Sequence, residues 1–388
     1  MSRSASSRPA EQPLAGLTVV EIGHSVAAPY AGQVLGDLGA RVVKIENPKG
    51  GDDARTWGPP FWHGASSMFQ TLNRNKLSAV VDLKDERQRD KLIGFIVRRA
   101  DIVVQNQRAG LLDELGLGAQ QMRARAPRLI YCNLAAFGAR GPLVDQPGYD
   151  PLMQAFGGLM SVTGEAGRPA VRIGPSIIDQ GAGMWCVIGI LAALHRRNAT
   201  GEGSIVDTSL FETALGWMNS HASFFAASGA VPGRRGSEQT TLVPYKVFEA
   251  SDGEVMIACG NENLFRRLAA ALDRNAWLDD VRFATNPARV THRELVNAAV
   301  QAIIGEKSVA YWVDALQRAG VPAAPLQTID RVLAHPQTEA LRMLQATPDG
   351  RMELMGLPLS FDRTRPSIRL GPPPHGQDTP VIDEGEDR

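Results

Sequence analysis

The chain has 388 residues, with 41 basic and 41 acidic side chains and a formal net charge of zero, so no global field recruits nucleic acid or an anionic membrane. Its 44% apolar and 21% charged content is that of an ordinary globular protein with room for two domains and a large core. Three cysteines far apart in the chain, Cys132, Cys186 and Cys259, offer neither a metal spacing nor a disulfide framework, which suits a reducing cytosol.

Residues 1–13, rich in Ser, Arg and Ala, read as a disordered tail. Residues 17–23 form a β-branched strand, 29–38 a helix with Pro29 in its first turn, and 41–46 a second strand. This βαβ unit starts a parallel sheet. It continues with a strand at 79–83, a helix at 85–99, a strand at 101–105, short helices at 111–117 and 119–126, and a strand at 129–133. Such alternation predicts an α/β fold whose large domain, residues 14–228, is a doubly wound, Rossmann-like parallel sheet. Within it an apolar helical pattern runs over 184–194, a strand over 204–207 and a helix over 210–228. A Gly/Arg-rich stretch, 229–239, leads into a smaller α/β domain at 240–330, with strands at 246–248 and 255–258 and helices at 262–272, 293–304 and 309–319. Prolines 322, 325 and 336 mark a return, and 335–388 completes the large domain. No run of 18 apolar residues occurs, so no membrane span is expected.

The first βαβ unit invites a dinucleotide reading, but Gly23 is followed by His24 to Pro29 without the glycine fingerprint. Gly32, Gly36 and Gly39 read instead as sites of close packing. A phosphate-binding Gly-x-x-x-x-Gly-Lys loop and a Gly-x-Ser-x-Gly elbow are missing too, and the seven histidines form no metal constellation. His24 ends the first strand, where α/β folds bind ligands. The loop at 50–61 reads either as a rigid turn closed by an Asp–Arg pair or as a wall in which Arg55 or Trp57 meets an anionic or planar group. Asn73, Arg74, Asn75 and Lys76 suit a phosphate or carboxylate, or a solvated turn.

Asp179 is the most informative residue. It follows Ile177 and Ile178 and precedes Gly181 and Gly183. Apolar neighbours cost a carboxylate solvation, and small ones let a bulky substrate approach. Such a carboxylate carries a function or is the N-cap of the helix that follows.

Read in order, Pro13 to Ile22, Gly36 to Glu46, Asn73 to Lys76, Ala100 to Asn106, Gly148-Tyr149-Asp150, Gly157 to Met160, Thr163-Gly164 and Thr200 to Gly203 resemble the class III CoA-transferases, the formyl-CoA and carnitine-CoA transferase family. The stretches Gly51 to Phe61 and Val243 to Phe248 are most similar to the succinyl-CoA:glutarate type of dicarboxylate enzyme. The resemblance implies an aspartate nucleophile at Asp179, with backbone N–H groups near Gly181 as the expected oxyanion site, an acyl-CoA thioester as substrate, no tightly bound cofactor and no metal. It implies an interlocked homodimer, to which the charge balance, cysteines and short apolar runs add a cytoplasmic location and no nucleic-acid or membrane partner. By the same resemblance Val26, Ala27, Lys84 and Asn106 lie along the CoA, joined by His24 for its place at the strand end and by Asn73 and Lys76 for their chemistry, whereas Asn47 and Glu114 replace residues that are often basic. A second substrate carboxylate would need a cation, for which Arg55, Arg74 and Arg172 are candidates, and Tyr149 would shape the acyl site. Related α-methylacyl-CoA racemases carry a histidine base where this chain has Tyr149. A phenol is a poor base at neutral pH, so transferase is favoured over racemase or an inactive CoA-binding protein.

Overall fold

The computed structural model describes residues 12–383. The expected tail, residues 1–13, lies outside them except for its last two positions. Two compact units make up the chain. One holds the described parts of Met1–Leu159, Arg172–Gly229 and Gln337–Arg388; the other holds Met160–Val171 and Ala230–Pro336.

The first unit is built on six strands, β1 Thr18–Ile22, β2 Arg41–Glu46, β3 Lys76–Val80, β4 Ile102–Gln105, β5 Ile130–Ala135 and β6 Ile205–Ser209. All neighbours are parallel, in the order β3-β2-β1-β4-β5-β6. This is the doubly wound arrangement, and the order reverses between β1 and β4. Alternation along the strands loads both faces. Val19, Val42, Ile102, Val104 and Cys132 face one core with helix α1 (Ala27–Asp37), and Val20, Val43, Val103 and Tyr131 face the other with helix α2 (Glu86–Arg99). Residues 376–379 cover the open edge of β3: Ser78 N–H donates to Asp378 Oδ2 at 2.9 Å, and Val80 N–H to Thr379 Oγ1 at 3.1 Å.

The strand expected at 79–83 begins three residues earlier, at Lys76. Its charge reads as a turn signal, yet the ammonium is buried under α1. The helix expected at 184–194 is longer. Helix α4 (Ile177–Thr200) starts seven residues sooner and ends at Gly201, whose φ of 78° closes it. By length and composition this helix is apolar enough to cross a membrane, contrary to the reading from apolar runs. More than half of its apolar window is buried, and it packs on α1 and β5 as a core helix does. The helix expected over 210–228 is two, α5 (Leu210–Trp217) and α6 (Asn219–Ser228).

Glycines let these layers approach. A Cβ on Gly32 would stand 1.9 Å from Glu21 Oε2, and one on Gly36 2.8 Å from the Asn75 carbonyl oxygen. The second unit has an antiparallel sheet of Tyr245–Ala250, Gly253–Ala258 and Ala323–Pro325, with helices Glu262–Ala271, Arg293–Ile304 and Val309–Arg318 around it. Met160–Val171, which the sequence reading gives to the large domain, groups here because Gly236 N–H donates to Gly164 O and Arg234 to Arg168 O.

Candidate active site

In a doubly wound sheet, ligands bind beyond the carboxyl ends of the strands, where the order reverses. Here that place is the crest Gly23-His24-Ser25-Val26, which joins β1 to α1, beside Asn106 just past β4. Asn106 brackets the crest: His24 N–H donates to its Oδ1 at 3.0 Å, and its Nδ2 donates to His24 O at 2.9 Å. Burial lowers the His24 pKa against the opposing pull of Asp52, so the ring favours the neutral form, with Nδ1 3.0 Å from Ser25 Oγ. Val26 is the N-cap of α1 but offers no side-chain acceptor, and Ala27 opens the helix. Both are buried.

Asp179 is the third residue of α4, whose N-cap is Ser176, so the expectation that Asp179 itself caps the helix is corrected. A second carboxylate caps it from outside. Asp150, buried at the start of α3 (Asp150–Phe156), accepts at Oδ2 from Ile178 N–H at 2.7 Å and Asp179 N–H at 3.2 Å. Gln154 holds Asp150 in place, donating to Oδ1 at 2.6 Å while accepting from Ile173 N–H at 2.8 Å. Among the described residues none donates to the Asp179 carboxylate. Burial first, and the Asp150 charge second, push its pKa up to about 7. Asp179 is therefore a carboxylate short of solvation and of hydrogen bonds, and half ionised near neutrality.

The glycines after Asp179 serve packing rather than access. A Cβ on Gly183 would lie 2.7 Å from Ala27 O, and one on Gly181 3.0 Å from the Trp217 indole on α5. Asp179 and Gly183 are one turn apart on the same helix face, and side chains lean toward the helix N-terminus. This sets Asp179 on the side of α4 that meets the start of α1, next to the crest. Gly181, the fifth residue of α4, has its N–H in the helix ladder. The expected oxyanion site there is corrected for this reason.

Several residues expected on the CoA or the acyl group are instead internal. Lys76 Nζ is wholly buried and surrounded by Glu21 Oε2 at 2.8 Å, Pro29 O at 2.7 Å and Asn73 Oδ1 at 2.8 Å. Burial brings its pKa down to about 8 despite Glu21. Asn73 completes its own set by donating to Phe69 O. Arg74, 2% exposed, makes a two-point contact with Asp37. Arg55 grips Glu46 through Nε at 2.8 Å and Nη2 at 2.7 Å and lies 3.8 Å over the Phe69 ring. These cations already hold protein carboxylates, so a substrate carboxylate or phosphate would have to break buried ion pairs to reach them. Neither alternative for these stretches holds as expected: the 50–61 loop is closed by Arg55 on Glu46 of β2 and not by an Asp–Arg pair, and Asn73 to Lys76 are buried, not a solvated turn. Lys84 is exposed beyond β3, Tyr149 is 55% exposed at the N-cap of α3, and Arg172 is exposed before α4. The residue that sequence reasoning missed is Asp150. Its signal was present in Gly148-Tyr149-Asp150, but a carboxylate 29 residues from Asp179 gives no local sign that it caps that helix.

The profile of CoA-transferase family III matches residues 14–379. An acetyl-CoA:oxalate CoA-transferase of Acetobacter aceti is 36% identical, over 86% of this chain and 85% of its own. A succinate–glutarate CoA-transferase of Agrobacterium fabrum is 36% identical, over 92% of this chain and 93% of its own. A solved structure of a CAIB/BAIF family protein from Brucella suis superposes with a TM-score of 0.85 at 36% identity, covering 96% of this chain and 99% of that one. With the doubly wound fold and a poorly solvated aspartate beside its switch point, these likenesses make the chain a CoA-transferase of family III.

Proposed function

We propose that this enzyme moves CoA from an acyl-CoA such as succinyl-CoA to a dicarboxylic acid, glutarate-like or itaconate-like, with Asp179 as nucleophile. The observation that carries this reading is the state of Asp179, desolvated and without a donor to its carboxylate among the described residues, with a pKa of about 7. An Asp179 oxygen attacks the thioester carbonyl, and the C–S bond breaks with its electron pair leaving on CoA thiolate. The thiolate attacks the aspartyl carbonyl of the mixed anhydride, which releases the donor acid and leaves an enzyme–CoA thioester. The acceptor carboxylate then repeats both steps in reverse, departs as the new acyl-CoA and returns Asp179 as carboxylate. Developing negative charge on the carbonyl oxygen is met by the first amides of α1, at Ala27 and Ala28, whose N-cap supplies no competing side chain. His24, Val26, Ala27, Asn106 and the exposed Lys84 line the path of the CoA. Of the three arginines considered for the second carboxylate, Arg172 alone is exposed and near α4 in sequence, so it takes that role, with Tyr149 at the acyl group.

We also propose that the enzyme is a cytoplasmic homodimer. Met184, Trp185 and Ile188 on α4 are 45–51% exposed, an apolar face that suits cover by a second copy. The test is acyl-CoA exchange by mass spectrometry, with succinyl-CoA and a panel of mono- and dicarboxylic acids. New acyl-CoA species confined to dicarboxylates support the reading. Exchange with monocarboxylates alone overturns it, and deuterium wash-in at the α-carbon of a 2-methylacyl-CoA without exchange would make the enzyme a racemase.

A further inference from the structure

The crest that carries His24 is gripped at three successive residues by three different side chains. Lys44 Nζ, wholly buried, donates to Gly23 O at 2.7 Å, the Asn106 amide brackets His24, and Asp52 Oδ1 accepts from Ser25 N–H at 2.9 Å. Two of the grips are one unit, because Lys44 Nζ also meets Asp52 Oδ2 at 2.9 Å and Glu21 Oε1 at 2.8 Å. Ion pairing with Glu21, Asp52 and Glu46 overcomes burial and keeps Lys44 firmly charged. Asp52 itself is fixed on both sides: its Oδ1 also accepts from Ala54 N–H at 2.9 Å, and its own N–H donates to Glu46 Oε2, at the end of β2, at 2.9 Å. In the middle of this clamp Ser25 has a φ of 69°, a left-handed conformation that a residue with a Cβ adopts only when its surroundings impose it. The turn at Ser25 sends the chain from β1 into α1, so it sets both the His24 ring and the first amides of α1.

We propose that Asp52 is a positioning residue for the acyl-CoA: by holding Ser25 N–H while paired with buried Lys44, it imposes the left-handed turn that places His24 and the start of α1. The inference rests on the CoA-transfer reading above and adds to it a residue that touches no substrate. Left to itself, Ser25 would relax toward right-handed or extended conformations, and the crest would sample geometries that bind the thioester poorly. The cost of imposing the turn sets the expected loss of affinity at about tenfold, the factor that about 1.4 kcal/mol represents.

The test uses full-length enzyme in steady-state exchange from succinyl-CoA, with amide hydrogen exchange followed by mass spectrometry. Asp52→Asn keeps the size of the side chain but cannot serve both Ser25 N–H and Lys44 as an acceptor. It should raise KM for the acyl-CoA about tenfold with kcat within about threefold, the split expected for a positioning residue. It should also speed exchange over 22–28 while that over 130–135 in β5 stays slow. Adding Ser25→Gly, which takes the left-handed turn without strain, should bring KM back to within about threefold of wild type. A double variant no better than Asp52→Asn, or unchanged exchange over 22–28 in Asp52→Asn, overturns the proposal. Should fast exchange in β5 show that Asp52→Asn has lost the fold, Asp52→Glu keeps the charge while displacing the carboxylate, and the same rescue is required of it. Absence of transfer in the wild type would instead count against the substrate reading, and exchange over 22–28 would still decide the clamp.

Discussion

Replacing Asp179 by asparagine should abolish transfer and, at the same time, make the protein more stable above neutral pH. The carboxyl group ionises near 3.8 in the unfolded chain and at about 7 in the folded one. Folding therefore favours the protonated form. The stability associated with that proton is fully present below about pH 4 and is lost as pH rises to about 7. A rise from 3.8 to about 7, at about 1.36 kcal/mol per pH unit, amounts to at most about 4 kcal/mol. Asparagine never ionises and escapes this loss. The gain of Asp179→Asn over wild type should be near zero at pH 4, grow through pH 5 and 6, and level off above about pH 7. Urea unfolding of both proteins at a series of pH values measures it, with exchange activity assayed on the same preparations. A flat difference between pH 4 and 8 would refute the reasoning, because it would mean that Asp179 ionises in the fold as it does in water. Retained transfer in the variant would remove Asp179 as nucleophile whatever the stability showed.

Further outcomes are expected. Transfer in the wild type should rise with pH through about 7 as Asp179 ionises, and Asp150→Asn, which removes the neighbouring charge, should move that limb to lower pH while costing about 1 kcal/mol of stability through a weaker cap; an unmoved limb would separate the two carboxylates. Gly32→Ala drives a methyl to 1.9 Å from Glu21 Oε2 in a buried ion cluster, and it should destabilise by about 3 kcal/mol or more in thermal unfolding. Arg172→Met should raise KM for dicarboxylates and spare monocarboxylates, whereas Arg74→Ala should cost about 3–5 kcal/mol of stability by orphaning Asp37, with no change in the ratio of the two substrate classes. Equal effects of the two arginines on that ratio would show that the ion pairing of Arg74 has been misread.

The sheet was legible because its signal is local. Strands such as residues 41–46 and 102–105 are short β-branched runs between helix patterns, and a parallel sheet follows from their alternation. Asp179 was legible because a carboxylate among isoleucines is an anomaly at the level of neighbours. What stayed hidden depends on partners far apart in the chain. Arg55, Arg74 and Lys76 look like free cations in the sequence, and their carboxylates, Glu46, Asp37 and Glu21, lie 9, 37 and 55 residues away. The glycines at 181 and 183 look like room for a substrate, but whether space beside a glycine is empty depends on what packs there, and here α5 and α1 fill it. For the same reason a run that begins apolar at Met184 gave no hint that the helix starts at Ile177: its first turn is stabilised by Asp150, not by its own sequence.

That external cap bears directly on the chemistry. A helix start offers unpaired N–H donors, and an aspartate in its first turn would ordinarily be drawn to them. A carboxylate so bonded is stabilised in its ionised form and correspondingly poor as a nucleophile. Here Asp150 takes the N–H groups of Ile178 and Asp179, and Gln154 keeps it there. The donors are spent on Asp150, which leaves the Asp179 oxygens without them, and the same Asp150 charge raises the energy of the Asp179 anion. Both effects favour the nucleophilic role proposed for Asp179, and both come from one buried residue.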